Sequence, residues 1–318
     1  MKKFIRVLML VCLMAALFTV SAYAEEYYVE SQEDFENALA TALDGSTINL
    51  AGGEYKMVGS NRNISLNIVG AGQGITNIVL KSGDYNYDAY YGSLNFSNLD
   101  VTSGNSIYSG LAHLTSASYT NVTFHNQFFN YATSASFNGC TFEQSSSGSY
   151  NIWTYGGANM SFTNCTFNSA GKAMLIYNEN HTGGTYNISS CTFNASSPVE
   201  GKAAIEIDSS LLKDGKHFTV NIDSSNTANG FGVGSVSGNS LYNLKKGDET
   251  TCTINYTQPP VNPNPNPNPG GNGGAAKPAA SNPYSIPATA DNSNMTLWSL
   301  LFVAFAAVAV ITAKKRKA

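Results

Sequence analysis

The chain has 318 residues, room for one large domain with a core of its own or for two smaller ones. Only 12% of it is charged, while Ser, Thr, Asn, Gly and Tyr abound, which suits an extended β-solenoid with many turns better than a helical bundle. The formal charge of −4 hides a more acidic body: Lys2, Lys3, Arg6, Lys314, Lys315, Arg316 and Lys317 crowd the ends, and without them and Asp291 the remainder carries about −10. An acidic surface with Arg62 as its one arginine argues against nucleic acid or anionic lipid as a partner.

Residues 1–24 have the layout of a secretory signal peptide: Lys2, Lys3 and Arg6, an apolar run over 7–20, then Ala22-Tyr23-Ala24 before Glu25. Cleavage between Ala24 and Glu25 by signal peptidase is expected, the competing reading being a retained membrane anchor. From residue 27 to 50 the pattern turns helical and then extended. Ser31 is placed to cap a helix carrying Phe35, Ala38, Leu39 and Ala42 on one face, with Asp34 at its start and Gly45 at its end. Strand signals follow at Thr47-Ile48-Asn49-Leu50, at 64–69 and at Ile78-Val79-Leu80. Gly70-Ala71-Gly72-Gln73-Gly74 precedes a strand, not a helix, and reads as a turn instead of a phosphate loop. Residues 83–92 form a tyrosine-dense insertion (Tyr85, Tyr87, Tyr90, Tyr91) that reads as a shielding loop or a ligand-contacting patch.

Between 96 and 193 one phrase recurs: Phe96-Ser-Asn-Leu99-Asp-Val101, Tyr119-Thr-Asn-Val122-Thr-Phe124, Phe137-Asn-Gly-Cys140-Thr-Phe142, Phe162-Thr-Asn-Cys165-Thr-Phe167 and Ile188-Ser-Ser-Cys191-Thr-Phe193. The starts are 23, 18, 25 and 26 residues apart, the period of a solenoid whose coils bury each other's apolar sides. Each phrase reads as a bulky strand end, a polar corner suited to Asn, and an in-out-in triplet. Stacking then places Cys140, Cys165 and Cys191 in one interior column and Phe124, Phe142, Phe167 and Phe193 in the next. Cys12 lies in the signal segment. The remaining four, Cys252 included, read as buried free thiols, with a disulfide between adjacent coils as the alternative. No metal-ligand spacing is present.

These phrases, and Asp44-Gly45-Ser46-Thr47-Ile48-Asn49-Leu50-Ala51-Gly52-Gly53-Glu54-Tyr55 before them, resemble the pectate-lyase-like superfamily. The resemblance implies an all-β fold, a right-handed parallel β-helix (solenoid) with a short N-terminal capping helix. A second repeat, Gly171-Lys-Ala-Met-Leu-Ile-Tyr-Asn178 against Gly201-Lys-Ala-Ala-Ile-Glu-Ile-Asp208, predicts outward columns Trp153/Ile176/Glu206 and Tyr155/Asn178/Asp208 if Leu175 and Ile205 face inward. An aromatic pair beside carboxylates and an amide makes Trp153, Tyr155, Asn178, Glu206 and Asp208 a candidate glycan face, the alternative being a solvated sheet face.

The last strand signal is Thr251-Cys-Thr-Ile-Asn-Tyr256. Residues 258–285, with their Asn-Pro repeats and Gly run, predict a disordered, extended spacer. Residues 286–318 hold Ile286-Pro287-Ala288-Thr289-Ala290, an apolar run over 297–313 expected as a transmembrane helix, and Lys314-Lys315-Arg316-Lys317. This order resembles a Gram-positive cell-wall sorting signal of the LPXTG type, with Ile286 for Leu and Ala290 for Gly. The resemblance implies cleavage after Thr289 by sortase and attachment to peptidoglycan; the alternative is a plain membrane anchor.

The expected layout is therefore a signal peptide (1–24), a β-helix domain (25–257), a linker (258–285) and a sorting signal (286–318). The expected protein is a monomeric cell-wall-anchored adhesin for polysaccharide or host glycans, with no cofactor. An anchored polysaccharide lyase or glycoside hydrolase using Glu206 and Asp208 is the alternative, with calcium under the lyase reading alone. Against it, Arg62 lies in the early coils, Lys172 and Lys202 read as solvated turn residues, and His113, His125 and His181 lack triad partners by spacing.

Overall fold

The computed structural model describes residues 24–257, apart from 59–61, 81–87, 90–91, 104–107, 113, 156–158, 178–181 and 236–238. The signal peptide, the tyrosine-rich insertion (but for two residues of strand Asp88–Ala89 and Gly92), the linker and the sorting signal lie outside the described residues. Among the described residues no helix is long and apolar enough to cross a membrane.

The recurring phrase builds a coil of three strands, and every pairing between coils is parallel. The first stack runs from Glu26–Val29 through Thr47–Leu50, Ser65–Gly70, Ser134–Asn138, Asn159–Thr163, Gly184–Ser189 and Phe218–Ile222 to Cys252–Tyr256. The second contains Gly53–Lys56, Thr76–Leu80, Thr141–Gln144, Thr166–Ser169, Thr192–Ala195 and Thr227–Asn229. Two long strands, Ser93–Ser103 and Ser116–His125, turn the corner and serve both stacks. The third stack is a separate seven-stranded sheet containing Gln127–Asn130, Tyr150–Trp153, Lys172–Tyr177, Ile205–Asp208 and Tyr242–Lys246. Parallel strands closed into stacked coils by crossing connections are a parallel β-helix, as the period required.

The corner between the first two stacks is made the same way in five coils. The third residue of each phrase is left-handed: Asn98 (φ 54), Asn121 (φ 55), Gly139 (φ 62), Asn164 (φ 55) and Ser190 (φ 54). Asn is the side-chain-bearing residue that visits this region at least cost, and Gly139 visits it freely. After each corner the alternation is strict, so Cys165 and Phe167 are buried while Thr166 faces out.

Stacked coils place like on like. Tyr119, Phe137 and Phe162 stack nearly parallel at 4.7 Å between successive centroids. Phe124, Phe142, Phe167 and Phe193 form a second pile at 4.8, 4.5 and 4.6 Å. The free thiols of Cys140, Cys165 and Cys191 form the neighbouring buried column, donating to backbone carbonyls: Cys140 to Tyr119 at 3.3 Å, Cys165 to Phe137 at 3.5 Å and Cys191 to Ser189 at 3.3 Å. Cys252 is also free and buried. The neighbouring Cys140 side chain pushes Cys165 up to about 12, and burial alone pushes Cys252 up to about 12.

The helix, α1 (Gln32–Thr41), covers the first coil with Phe35, Ala38 and Leu39 buried beneath it. Ser31 caps it, accepting from the Asp34 amide at 3.2 Å. It ends earlier than Gly45, at Ala42, and Arg62 reaches across to donate to the Leu39 carbonyl at 3.0 Å and to the Ala42 carbonyl. The one arginine of the body is thus a helix C-cap, placed where its charge meets the negative end of the dipole.

Candidate functional site

The third stack carries the predicted aromatic and carboxylate face, with its register corrected. Met174 pairs with Ile205, and Leu175 with Glu206. The repeat Gly171-Lys-Ala matches Gly201-Lys-Ala in letters but not in register, because the turn before Ile205 holds one residue more. A one-residue slip reverses every side chain. Ile176 and Ile207 therefore face the core, while Leu175 faces out with Trp153 and Glu206. Tyr177 pairs with Asp208, the neighbour assigned to Asn178, which lies outside the described residues. Trp153 and Glu206, and Tyr155 and Asp208, still belong to shared outward columns.

These columns form a second, smaller packed layer. Phe129, Trp153, Tyr155 and Tyr177 meet edge to face or tilted at 5.1 to 6.0 Å, except that Trp153 and Tyr155 stack at 6.1 Å, and Tyr131 closes on Tyr155 at 4.9 Å. Phe129 and Tyr155 are buried, and Trp153 is half-buried with no hydrogen-bond partner for its Nε1.

Neither carboxylate opens to solvent. Glu206 is 0% exposed and accepts from the Ala203 amide at 2.8 Å, from Asn243 Nδ2 at 3.3 Å to each oxygen, and from Lys202 Nζ at 3.5 Å. Lys202 is therefore not the solvated turn residue its position suggested. Asp208 accepts from the Ser210 hydroxyl at 2.6 Å and lies 3.9 Å from Lys246 Nζ. Beside them, burial first and the two carboxylates second push the Tyr150 hydroxyl far above its usual range. Lys172 sits 5.6 Å over the Tyr150 ring and donates to the Gly148 carbonyl. Carboxylates locked in this way are poorly placed to attack or protonate a bound sugar.

An open groove lies instead on the second stack, in a place the sequence reading did not single out. Its volume is about 520 Å³, and His125, Glu143, Gln144, Asn168, Ser169 and Asn194 are among its lining residues. Register explains it: His125, Glu143, Asn168, Asn194 and Asn229 stand opposite one another on successive strands. Asn168 donates to Glu143 at 2.8 Å, Asn194 to Asn168 at 3.0 Å, and Asn229 to Asn194 at 2.9 Å. Each link uses one donor and one acceptor of the amide, leaving the rest of its hydrogen-bonding capacity for a ligand. At the groove's end His125 Nε2 lies 3.4 Å from Asp100 Oδ2, so His125 has a carboxylate partner that spacing did not reveal. Alongside runs a ladder of outward threonines, Thr123, Thr141, Thr166, Thr192 and Thr227. The signal was present in the sequence, since the residue following each Thr-Phe pair is His125, Glu143, Asn168 or Asn194.

A smaller concavity of about 330 Å³ lies on the first stack, lined by Asn95, Ser118, Ser136 and Ser161 among others. Among the described residues no cluster of three His, Cys, Asp or Glu is arranged to hold a metal ion.

No family model matches the chain, and no curated protein matches it. Among solved structures, a PL6 family alginate lyase, AlyGC, superposes on 74% of this chain at 14% identity and a TM-score of 0.41. This chain spans 39% of the length of that protein, and the likeness carries no weight for activity.

Proposed function

We propose that the chain is a secreted, wall-anchored surface protein whose right-handed β-helix binds glycans through the amide-lined groove of the second stack. Parallel strands joined within one sheet cross over right-handed almost without exception, which supports the handedness. The observation that carries the binding reading is the groove itself: a concavity of about 520 Å³ whose wall repeats Glu143, Asn168 and Asn194 at the coil spacing. Hydroxyl-rich chains are bound by such planar amides and carboxylates, which donate and accept in fixed directions. An acidic groove favours neutral or amino sugars over uronates.

The sorting-like segment supports anchoring: Ile286-Pro287-Ala288-Thr289-Ala290, an apolar run and a basic end follow a Pro- and Asn-rich spacer. In this reading signal peptidase removes residues 1–24, and sortase joins Thr289 to peptidoglycan. The half-buried Trp153 and Tyr177 form a secondary contact face at most, since Glu206 and Asp208 behind them are enclosed. The enclosure also disfavours the hydrolase or lyase alternative.

The experiment is a glycan-array screen of residues 25–257 followed by turnover assays on each binder, with and without calcium. Binding without product supports the reading. Product formation lost in Glu206→Gln or Asp208→Asn sinks it.

A further inference from the structure

Lys202, Glu206 and Asn243 meet on the last coils of the third stack. Glu206 and Asn243 are both 0% exposed and stand directly opposite each other on paired strands, Asn243 being on the edge strand Tyr242–Lys246. Asn243 Nδ2 donates to both Glu206 oxygens at 3.3 Å, and Lys202 Nζ reaches Oε2 of the same carboxylate at 3.5 Å. The turn is shaped to seat the amide: any Cβ at Gly234 would lie 2.6 Å from that of Asn243. Burial first, with Lys202 next, holds Lys245 below the usual lysine range.

As a stabilising device this set is weak, because a buried ion pair returns little beyond its desolvation cost. As a reactive one it is complete. A primary amine and a primary carboxamide are held against one carboxyl group that can carry a proton between them; the carboxyl and the carboxamide are enclosed, and the Lys202 side chain is 24% exposed.

We propose that Lys202 and Asn243 condense into an intramolecular isopeptide bond with Glu206 as the proton carrier. Lys202 Nζ gives a proton to Glu206 and attacks Cγ of Asn243. The Cγ–Nζ bond forms and the Cγ–Nδ2 bond breaks. Glu206 passes its proton to Nδ2, and the second proton lost from Nζ follows, so nitrogen departs as ammonium and the Glu206 carboxylate is restored. The exchange is redox-neutral and needs no co-reactant. Its product ties the edge strand of the third stack covalently to the turn that opens the preceding strand, at the end of the sheet where fraying starts. It is independent of the glycan reading.

The test is peptide mapping by mass spectrometry of the folded full chain. A branched peptide joining Lys202 to Asn243, lighter by one ammonia than its two parts, is expected. Recovery of both residues in separate, unmodified linear peptides overturns the proposal. Asn243→Asp should release water in place of ammonia, so its branched peptide should be lighter than its parts by one water; linear peptides there count against the chemistry. Glu206→Gln should give only linear peptides, and a branched peptide in that variant removes Glu206 from the mechanism. Should Glu206→Gln fail to fold, the wild-type and Asn243→Asp maps decide.

Discussion

At the scale of single residues the coil depends on its left-handed corners. Asn98, Asn121 and Asn164 sit at φ 54 to 55, where a β-branched side chain is strained. Asn164→Val should cost about 1–2 kcal/mol, whereas Asn164→Gly should stay within about 0.5 kcal/mol, both read from urea unfolding midpoints. Equal effects would mean that the corner is not held as described.

The buried thiols make a second residue-level prediction. Burial pushes Cys252 up to about 12 from a free value of 9.0, so the folded protein keeps a proton that the unfolded chain releases above pH 9. By linkage, this thiol's contribution is whole below pH 9 and is lost as the pH climbs towards 12. Between about pH 8 and about pH 10.5 the wild type should lose about 1–2 kcal/mol more than Cys252→Ala, measured by denaturant titration. A parallel loss in both proteins would contradict it.

At the scale of elements the aromatic piles decide stability. Phe142 lies between Phe124 and Phe167 at 4.8 and 4.5 Å and is 0% exposed. Phe142→Ala removes both contacts and leaves a cavity that rigid neighbouring coils fill poorly, so a cost of about 3–5 kcal/mol is expected in thermal or chemical melts. Much of this level was legible in sequence: the phrase Cys-Thr-Phe fixed which residues pile on which, and Ser31 marked the helix start. The third stack was less legible. Matching letters at Gly171 and Gly201 set Leu175 against Ile205, and only the backbone pairing shows that the second turn carries one residue more. The groove was missed because its ladder changes letters partway, from His125 and Glu143 to Asn168, Asn194 and Asn229, and each of these follows the Thr-Phe or Thr-Ala step that drew attention to the core column. The enclosure of Glu206 was invisible too, since its partners Asn243 and Lys202 come from another coil and from a turn.

At the scale of the whole molecule, the proposed placement at the wall depends on residues 286–318. Replacing Thr289 with Ala, or deleting the basic end Lys314-Lys315-Arg316-Lys317, should shift the protein from the wall fraction to the membrane or the culture medium. Cell fractionation and immunoblotting read this directly, and an unchanged wall fraction would contradict sorting.

The most direct measurement of the central claim is the affinity of the best array ligand for three proteins: wild type, Asn168→Ala/Asn194→Ala and Trp153→Ala. The ladder amides are half-buried and point away from the core, so their removal should leave the fold intact. Losing two directed hydrogen-bonding groups should weaken binding by about tenfold or more, while Trp153→Ala should have a small effect. Unchanged affinity in the ladder variant, with binding abolished by Trp153→Ala, would contradict the groove and move the site to the third stack.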